Sequence, residues 1–591
     1  MSSLESPRGI APFPGNPFPG NGGAVPPNSP RAFAPVPREI PPTSRFRTGF
    51  YSLVAGIYLA LTVGLAVFVI QWNHLASVIL FAVLSLLFLG AAYGLARQIA
   101  ALYLRGTPPL PRLEALTSQP RVAILYTTMN DVVPECLGAI RSHYPADVYV
   151  LDDSSDAAAR EVVDALSAEH GYRVVRRPNR RGFKAGAIND WFRQWGGGYD
   201  YFLLLDADSY LPPDWVGEAL RFSEDPRNAR VAVFQGLINI WNLDTSFVRT
   251  LAPMSRVGQF LWEESLANTM DAVFCYGHNV LVRTSAVAEI GGFVEGFVSE
   301  DFATACALGE RDWHSRFVPL HTYEATPENV RGFIKRQNKW TRGAMEFFTF
   351  SRKYRLRAGQ KFDLLQTPLG HITNLLLPLG MLLTVYGYTS TSSTAAAFLS
   401  AFLSNPLGTF WSVPILRYLL VVGLLSSIPL WAILLHCRIG FGTYWSHRWL
   451  SSAVSAISLP YEFLSMAAYL GTGLRTIPVT PKSEKRLTMR EVLHLSRYSL
   501  VLLGFLLLGI LLLNPLAALF NATWLLPMVL SPFVIWAYGG ETPLSRAELL
   551  PEGWGEPSAQ RPQPQEVRRF LATRRHFWEG WYAPGVAGRG I

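Results

Sequence analysis

The 591-residue chain carries 52 Lys and Arg against 43 Asp and Glu, which gives a formal net charge of +9. Only 16% of its residues are charged and 49% are hydrophobic, which is typical of a membrane protein with basic residues at its cytoplasmic surface. No basic stretch is interleaved with aromatic residues and the four cysteines lack CxxC spacing, so we expect no nucleic-acid partner, disulfide framework or zinc site.

Residues 1–47 form a segment rich in Pro and Gly, and this composition predicts a disordered cytosolic tail. Residues 48–105 contain two apolar runs, Phe50–Trp72 and Leu75–Leu95, each long enough to cross a hydrocarbon core of about 30 Å. Arginines flank the outer ends of the pair, and none lies in the short link between the two runs. The positive-inside rule therefore predicts that both outer ends are cytosolic.

Short apolar strands alternate with helical stretches over residues 118–350, which predicts an α/β domain between the membrane segments. The first three predicted strands are Val122–Thr127, Asp147–Leu151 and Tyr172–Val175. A fourth, beginning at Tyr201, is continuously apolar and ends in Asp206 and Asp208. Two carboxylates beyond a buried parallel strand suit a hard divalent cation that bridges phosphate oxygens. Considered alone, an Asp-x-Asp here is also typical of a solvated loop.

Two charged motifs lie between the second and the fourth predicted strand. The second strand is followed by Asp152 and Asp153, at the same edge of the predicted sheet as the Asp-x-Asp. A cationic turn from Arg180 to Lys184 contains a glycine and leads into a helix. The helix start and the lysine together favour a bound phosphate, although basic turns before helices are common.

Two further motifs follow the strands. Glu300 and Asp301 come after a glycine-containing turn, and Trp340 closes the segment Gln337-Asn-Lys-Trp on a helical stretch. Each has a structural alternative, because an acidic pair can begin a helix and a tryptophan can anchor a helix at a membrane interface. Their occurrence in this order, after the Asp-x-Asp, is harder to explain by structural roles alone.

Residues 360–538 are predicted to form a membrane region with a loop, residues 476–486, at its cytosolic side. Its predicted spans are Thr367–Tyr388, Val413–Cys437, Tyr498–Asn514 and Pro515–Ala537. The apolar stretch Trp449–Leu474 is predicted to lie along the inner interface, because a seventh span there would place the basic residues after it outside. About six spans result, and residues 539–591 are predicted to be a cytosolic tail.

Taken together, the motifs resemble those of the membrane-embedded processive enzymes of glycosyltransferase family 2, the cellulose synthase-like group. That group shares a first Asp, an Asp-x-Asp, a Thr-Glu-Asp and a Gln-x-x-Arg-Trp. The matching residues are Asp152 and Asp153, Asp206 and Asp208, Ser299-Glu300-Asp301, and Gln337-Asn-Lys339-Trp340. The resemblance covers roughly residues 50–540. It implies an α/β nucleotide-sugar-binding domain of the GT-A type, inserted between transmembrane helices and accompanied by interfacial helices.

The resemblance also implies roles for the matched residues. Asp301 is expected to be the general base, with Glu300 beside it in the catalytic pair. Asp206 and Asp208 are expected to hold Mg²⁺ or Mn²⁺. The residues expected to bind the nucleotide sugar are Thr127, Asp152, Asp153, Lys184, Asp206, Gln337, Lys339, Thr480 and Lys482. Trp340 and His278 are expected to bind the acceptor.

Three details distinguish this chain within the group. The segment from Ile477 to Lys482 resembles the Phe-x-Val-Thr-x-Lys gating loop of cellulose synthases, with Ile in place of Phe. Lys339 replaces the usual Arg, which keeps the charge but loses the planar fork that grips two phosphate oxygens. The segment Tyr276-Gly-His278-Asn279 resembles osmoregulated periplasmic glucan synthases more than cellulose synthases.

The expected function is inverting, processive synthesis of a cellulose-like β-glucan from UDP-glucose at the bacterial inner membrane, with a cytoplasmic catalytic domain. The expected partners are the UDP-sugar, the growing polysaccharide, the lipid bilayer and an export partner in the periplasm. Three alternatives remain open. They are a synthase of another β-linked polymer (a β-1,3-glucan or an N-acetylglucosamine polymer), a non-processive glycolipid glycosyltransferase, and a membrane transporter or scaffold with a degenerate transferase domain.

Overall fold

The computed structural model describes residues 43–68, 70, 72–106, 110–243, 245–387, 391–412, 414–473 and 486–538. Thr480 and Lys482 of the predicted gating loop lie outside these residues. The same is true of residues 539–591 and of most of the predicted N-terminal tail. Predictions for those segments therefore remain predictions from sequence.

Two helices open the described chain, and both are long and apolar. They are α1 (Thr43–Phe68) and α2 (Leu75–Leu104). Their positions agree with the first two predicted spans. The second continues nine residues past the predicted end, because Ala96–Leu104 has helix-forming residues throughout and closes at Arg105 in the left-handed conformation.

A seven-stranded mixed sheet forms the centre of the domain between the membrane segments. Its strands are β1 (Val122–Thr128), β2 (Ala146–Asp152), β3 (Arg173–Val175), β4 (Tyr201–Asp206), β5 (Val231–Ile240), β6 (Val280–Arg283) and β7 (His314–Glu324). Their order across the sheet is β3-β2-β1-β4-β6-β5-β7. The strands β1 to β4 are parallel, whereas β6 runs antiparallel to both of its neighbours. All four strands predicted from sequence are present.

Helices cover both faces of this sheet. They are α3 (Pro134–Gly138), α4 (Ala157–His170), α5 (Phe183–Trp195), α6 (Trp215–Ser223), α7 (Ser246–Leu251), α8 (Pro253–Gly258), α9 (Thr284–Glu289), α10 (Glu300–Glu310), α11 (Val330–Met345) and α12 (Phe347–Lys353). Alternate residues of β4 divide between two cores. Phe202 packs with Trp191 of α5 on one face, and Leu203 packs with Trp215 of α6 on the other. Burial on both faces explains why β4 is apolar throughout.

The described chain ends in a second helical region. Its helices are α13 (Ala358–Tyr386), α14 (Ser392–Ser404), α15 (Pro406–Ser412), α16 (Pro414–His436), α17 (Phe441–Thr472), α18 (Met489–Leu512) and α19 (Ala517–Tyr538). Five helices in the described part are long and apolar enough to cross a membrane: Ser44–Phe68, Leu75–Leu104, Ala358–Tyr386, Phe441–Thr472 and Met489–Leu512. The described parts of α16 and α19 add shorter apolar stretches, Leu420–His436 and Leu525–Tyr538. The count of six spans remains a prediction.

The helix α17, predicted to lie along the interface, packs against the α/β domain. Its Leu450 belongs to one buried cluster with Phe247 of α7 and Val330 of α11. The Ser465 hydroxyl donates a hydrogen bond to the carbonyl oxygen of Asn338 at 3.1 Å. This packing supports an interfacial position, although α17 is also long and apolar enough to span a membrane.

One buried aspartate joins the α/β domain to the membrane helices. Asp271 is 2% exposed and forms ion pairs with Arg47 of α1 at 3.2 Å and with Arg316 of β7 at 2.7 Å. Arg357, immediately before α13, pairs with the same carboxylate. The Gln360 amide of α13 donates to the Asp271 backbone oxygen at 3.0 Å. Three segments that are distant in sequence are therefore fixed to one point at the base of the domain.

Candidate active site

The residues predicted to bind the donor meet where parallel strands end. In the sheet register, Thr127 of β1 is opposite Asp206 of β4, and Thr128 is opposite Asp152 of β2. The Thr127 hydroxyl donates to Asp206 Oδ1 at 3.3 Å. Open α/β sheets bind ligands at this edge, so the topology places the predicted residues where a ligand would lie.

Asp152 and Asp153 are each held by an arginine that follows the neighbouring strand β3. Arg176 Nε donates to Asp152 Oδ2 at 2.7 Å, and Arg177 grips Asp153 through two nitrogens at 2.7 and 2.5 Å. Sequence reasoning missed both arginines. The sequence does contain a signal for them, because two aspartates directly follow the second predicted strand and two arginines directly follow the third.

Lys184 lies in the first turn of α5, after Gly182 in the left-handed conformation. Its amine forms an ion pair with Asp206 and donates to the backbone oxygen of Gly277 at 2.8 Å. Burial favours the neutral amine. Nevertheless Asp206, and more weakly Glu300 and Asp301, raise the pKa of Lys184 above its ordinary value. The lysine therefore remains a cation near the carboxylates of Asp206, Glu300 and Asp301.

Asp208 is 3% exposed and lies in a turn fixed by its backbone, since its carbonyl oxygen accepts a hydrogen bond from the Trp241 indole at 2.8 Å. Asp208 interacts electrostatically with Arg336 of α11. Burial lowers the pKa of the Arg336 guanidinium to about 10, although the carboxylates of Glu324 and Asp208 oppose that shift. Sequence reasoning singled out neither Arg336 nor Glu324.

Gly277 lies between the Asp206–Lys184 pair and the carboxylate of Asp301. Its φ of +75° is in the region that favours glycine, and a Cβ there would lie 2.8 Å from Oδ2 of Asp301. Its carbonyl oxygen accepts the hydrogen bond from Lys184. The glycine therefore lets the Asp301 carboxylate approach the backbone beside the Asp206–Lys184 pair.

His278, predicted to contact the acceptor, lies beside two acidic groups of the site. Its Nε2 lies 2.5 Å from Glu324 Oε2, and its Nδ1 lies 3.8 Å from Asp206 Oδ2. Burial favours the neutral imidazole, but Glu324 and then Asp206 raise the pKa of His278 to about 9. The histidine is therefore a further cation of the site near neutral pH, and its contact with the acceptor stays a prediction.

Glu300 and Asp301 form the first turn of α10, so the structural alternative of a helix start is also correct. Burial raises the pKa of both carboxyls, and repulsion from Asp301 adds to the shift of Glu300, whose pKa is about 7. Lys339 and Lys184 oppose the shift of both residues. A buried carboxylate with a raised pKa is a stronger base than one in water.

The helix α11 presents the last predicted motif beside this pair. Trp340 is 52% exposed, and the Arg336 guanidinium lies 4.6 Å from the centre of its ring. Gln337 has a buried side-chain oxygen without a hydrogen-bond partner among the described residues. An exposed aromatic face and an unused amide oxygen therefore lie on the same helix.

The match to the Gln-x-x-Arg-Trp pattern needs one correction. That pattern places Gln four residues before Trp, whereas Gln337 is three residues before Trp340, and the fourth position back is Arg336. One residue along a helix is a rotation of about 100°. Gln337 and the motif glutamine therefore face different directions, and Arg336 holds the motif position.

The sequence comparisons agree with the motifs. The sequence profile of glycosyl transferase family group 2 matches residues 201–538. The glucans biosynthesis glucosyltransferase H of Caulobacter vibrioides is 28% identical over 302 residues, which are 45% of this chain and 44% of the relative. The protein of the same name from Xanthomonas campestris pv. campestris is 27% identical over 309 residues, 46% of each chain. The chain thus matches less than half the length of these curated relatives.

Among solved structures, the chain is similar to the mannosyltransferase PcManGT from Pyrobaculum calidifontis in complex with GDP-Man and Mn²⁺. The identity is 19% and the TM-score 0.42, over 67% of this chain and 99% of that one. The family assignment rests on the sequence profile, whose match extends from β4 to the end of α19 and covers more than half of the chain. The chain therefore belongs to glycosyl transferase family group 2 and is a glycosyltransferase with a GT-A-type α/β domain between apolar helices.

Proposed function

We propose that the chain is an inverting, processive glycosyltransferase that polymerises a β-glucan from UDP-glucose and moves it across the bacterial inner membrane. The observation that carries this proposal is the meeting of the Asp206–Lys184 pair with the half-buried Glu300–Asp301 pair at Gly277. A charged donor site and a base thus share one sheet edge. The names of the relatives from Caulobacter and Xanthomonas support a glucan as product.

The donor half consists of carboxylates whose counter-charges are already in place. Asp152 and Asp153 would contact the uridine, and Thr127 and Lys184 would lie at the diphosphate. Lys184 is the residue best suited to exchange partners. Lys184 forms an ion pair with Asp206. Its ammonium group can reorient toward a phosphate oxygen of the donor while the residue itself stays in the first turn of α5.

A divalent cation, Mg²⁺ or Mn²⁺, fits the donor half by the chemistry of its side chains. Asp206 and Asp208 offer the hard oxygen ligands that such ions prefer. No three His, Cys, Asp or Glu side chains of the described residues lie close enough to hold an ion by themselves, so donor phosphates and water would complete the ligand set. When bound, the ion would neutralise charge on the departing diphosphate.

Transfer itself would use Asp301 as the general base. Its carboxylate would take the proton of an acceptor hydroxyl while the hydroxyl oxygen attacks the anomeric carbon from the face opposite the diphosphate. The bond from that carbon to the diphosphate oxygen breaks, UDP leaves, and the configuration inverts. The raised pKa of Asp301 suits this role, because a stronger base accepts the proton earlier in the reaction.

The acceptor would lie on α11. The exposed face of Trp340 can stack on the terminal sugar of the growing chain, and the unpartnered oxygen of Gln337 can accept a hydrogen bond from a sugar hydroxyl. Lys339 would balance the charge of the catalytic pair, on which it already acts. The grip on the acceptor would thus come from the helix that follows β7, separate from the strands that hold the donor.

The predicted membrane topology gives the reaction its direction. Five of the described helices are long and apolar enough to cross a membrane, and they flank the domain. The positive-inside rule favours a cytoplasmic position for the domain, where UDP-glucose is available. Thr480 and Lys482 would close over the donor from the loop after α17. The polymer would leave through the helical region, toward an export partner on the other side of the membrane.

The direct test is to incubate the purified full-length protein with a panel of UDP-sugars, with and without Mg²⁺ or Mn²⁺, and to analyse product linkage and length. We expect UDP-glucose and a divalent cation to give long β-linked glucan. A polymer of another sugar or linkage would identify a different synthase, and a single sugar on a lipid would identify a non-processive transferase. Full turnover in excess EDTA would contradict the metal.

A further inference from the structure

The most deeply buried acid next to the site is not used by the proposed chemistry. Glu346 follows α11 and is 0% exposed. Its Oε2 accepts hydrogen bonds from the backbone N–H groups of both Val298 and Ser299, each at 2.9 Å. Its Oε1 accepts from Val298 N–H at 3.0 Å. The side chain of Glu346 is thus joined to the Val298–Ser299 loop at two successive backbone N–H groups.

The loop that Glu346 holds leads directly into the catalytic pair. Ser299 is the N-cap residue of α10, but its side chain makes no capping hydrogen bond. Glu346 therefore accepts the N-cap backbone N–H from another helix, the contact that an N3 glutamate makes within its own helix in a capping box. Asp301 lies two residues after Ser299, so the position of the proposed base depends on this contact.

Close packing adds to the hydrogen bonds. Gly343 lies in the last turn of α11, and a Cβ at that position would collide with Ser299 Oγ. The end of α11 is thus shaped to receive the loop before α10. Because Lys339 and Trp340 lie one turn earlier on α11, the same helix that would carry the acceptor also holds the loop of the base.

A third element meets Glu346 from the membrane side. The Tyr469 hydroxyl of α17 lies 3.5 Å from Glu346 Oε1. The helix α17 ends at Thr472, and the predicted gating loop follows it in sequence. Glu346 is thus in contact with the loop of the base, the helix of the acceptor and the helix that leads to the gating loop.

We propose that Glu346 is a positioning residue that fixes the Asp301 loop against the acceptor helix α11, with Tyr469 extending this contact to α17. The proposal rests on the proposed function, in which Asp301 is the base and Trp340 holds the acceptor. Misplacement of a base by about 1 Å can lower a rate by about 10²-fold, so a residue of this kind acts strongly without touching substrate.

The test compares Glu346→Ala with Glu346→Gln in the full-length protein. Alanine removes both backbone hydrogen bonds. Glutamine can keep them, because one oxygen of Glu346 already serves both Val298 and Ser299. For Glu346→Ala we expect transfer kcat to fall about tenfold with the KM for UDP-glucose unchanged, and hydrolysis of UDP-glucose to fall less than transfer. For Glu346→Gln we expect the transfer kcat, the KM for UDP-glucose and the ratio of hydrolysis to transfer to stay near the wild-type values.

The ratio of sugar hydrolysed to sugar transferred is the decisive readout, because it does not depend on the fraction of protein that is folded. The matched control is Asp225→Ala. Asp225 is also a buried acid that accepts a backbone hydrogen bond, but it precedes β5 at the opposite edge of the sheet. The control should leave the ratio unchanged. An unchanged ratio in Glu346→Ala would overturn the proposal.

Hydrogen exchange provides a second readout that needs no substrate. In Glu346→Ala the backbone amide hydrogens of Val298 and Ser299 should exchange about tenfold faster than in the wild type. In Glu346→Gln their exchange rates should stay close to those of the wild type. If Glu346→Ala does not fold, Glu346→Asp replaces it, since it shortens the reach by one methylene and should show the same effects in smaller degree. Wild-type exchange in Glu346→Ala, or in Glu346→Asp where it replaces the alanine variant, would contradict the proposal. Inactivity of the wild type with every UDP-sugar would defeat only the proposed function.

Discussion

Two acidic pairs lie at the same edge of the sheet and differ in what surrounds them. Asp152 and Asp153 follow β2 and are held by Arg176 and Arg177, at distances of 2.5 to 2.7 Å. Glu300 and Asp301 begin α10 without a guanidinium partner among the described residues, and burial raises the pKa of Asp301. Adjacent carboxylates in one protein thus differ in their surroundings, which suits the first pair to the proposed donor binding and the second to the proposed role of base.

The difference depends on whether a neighbouring positive charge offsets the free-energy cost of burying an ionised carboxylate. A buried carboxylate beside an arginine keeps its charge, whereas one without a close partner is easier to protonate. A donor site needs fixed charges that can orient hydrogen bonds, and a general base needs a proton affinity near the working pH. The two pairs meet these two needs with the same residue types, so their surroundings decide their roles.

The largest effect is expected for the base. Asp301→Asn keeps the shape of the side chain but cannot accept a proton, so transfer should fall by about 10² or more while UDP-glucose binding survives. Initial rates of UDP release, together with donor binding measured by calorimetry, check this expectation. If Asp301→Asn makes polymer at a rate near that of the wild type, another residue is the base.

The second-largest effect is expected for Lys184, the cation between the proposed donor site and the catalytic pair. Lys184→Met removes the ion pair with Asp206 and a positive charge that lowers the pKa of both members of the catalytic pair. We expect kcat/KM for UDP-glucose to fall about tenfold, mainly through KM, because a charge-assisted contact to phosphate is lost. Lys184→Arg is the control, since it keeps the charge. Equal KM values in Lys184→Met and the wild type would argue against a donor contact.

The sequence predicted the strands and the acidic ends of this site well. The strand β4 is apolar up to Asp206 because both of its faces are buried, and Asp152 and Asp206 mark where β2 and β4 end. These features depend on local pattern, so they can be read without knowing the fold. The α/β domain between apolar helices was predicted on the same basis, and the family assignment confirms it.

Other contacts of the site could not be predicted from the local sequence pattern. Glu346 contacts a loop 47 residues earlier in the chain, and nothing near either segment in sequence indicates the contact. Arg336 was passed over because the motif was matched one residue out of register, and the error is visible only on a helix, where neighbouring positions face different ways. The left-handed Gly277 likewise gains its meaning only when Asp301 is seen beside it.

The smallest effect is a shift of pH dependence. Lys339 lowers the pKa of Glu300 and Asp301, so Lys339→Gln should raise both. A base works only when deprotonated, and its raised pKa therefore moves the acidic limb of the rate profile to higher pH, by roughly half a unit to one unit. At pH values above that limb the activity should be close to normal. Profiles of kcat/KM for Lys339→Gln and the charge-conserving Lys339→Arg check this, and identical limbs would show that Lys339 does not act on the base.

The contrast between the two acidic pairs is tested most directly by donor affinity and turnover in matched preparations of Asp153→Asn and Asp301→Asn. We expect Asp153→Asn to weaken UDP-glucose binding by about tenfold and to keep kcat within a few-fold of the wild type. Asp301→Asn should bind UDP-glucose normally and lose kcat by about 10² or more. If the two variants lose affinity and turnover in the same proportion, the two pairs do not have separate roles.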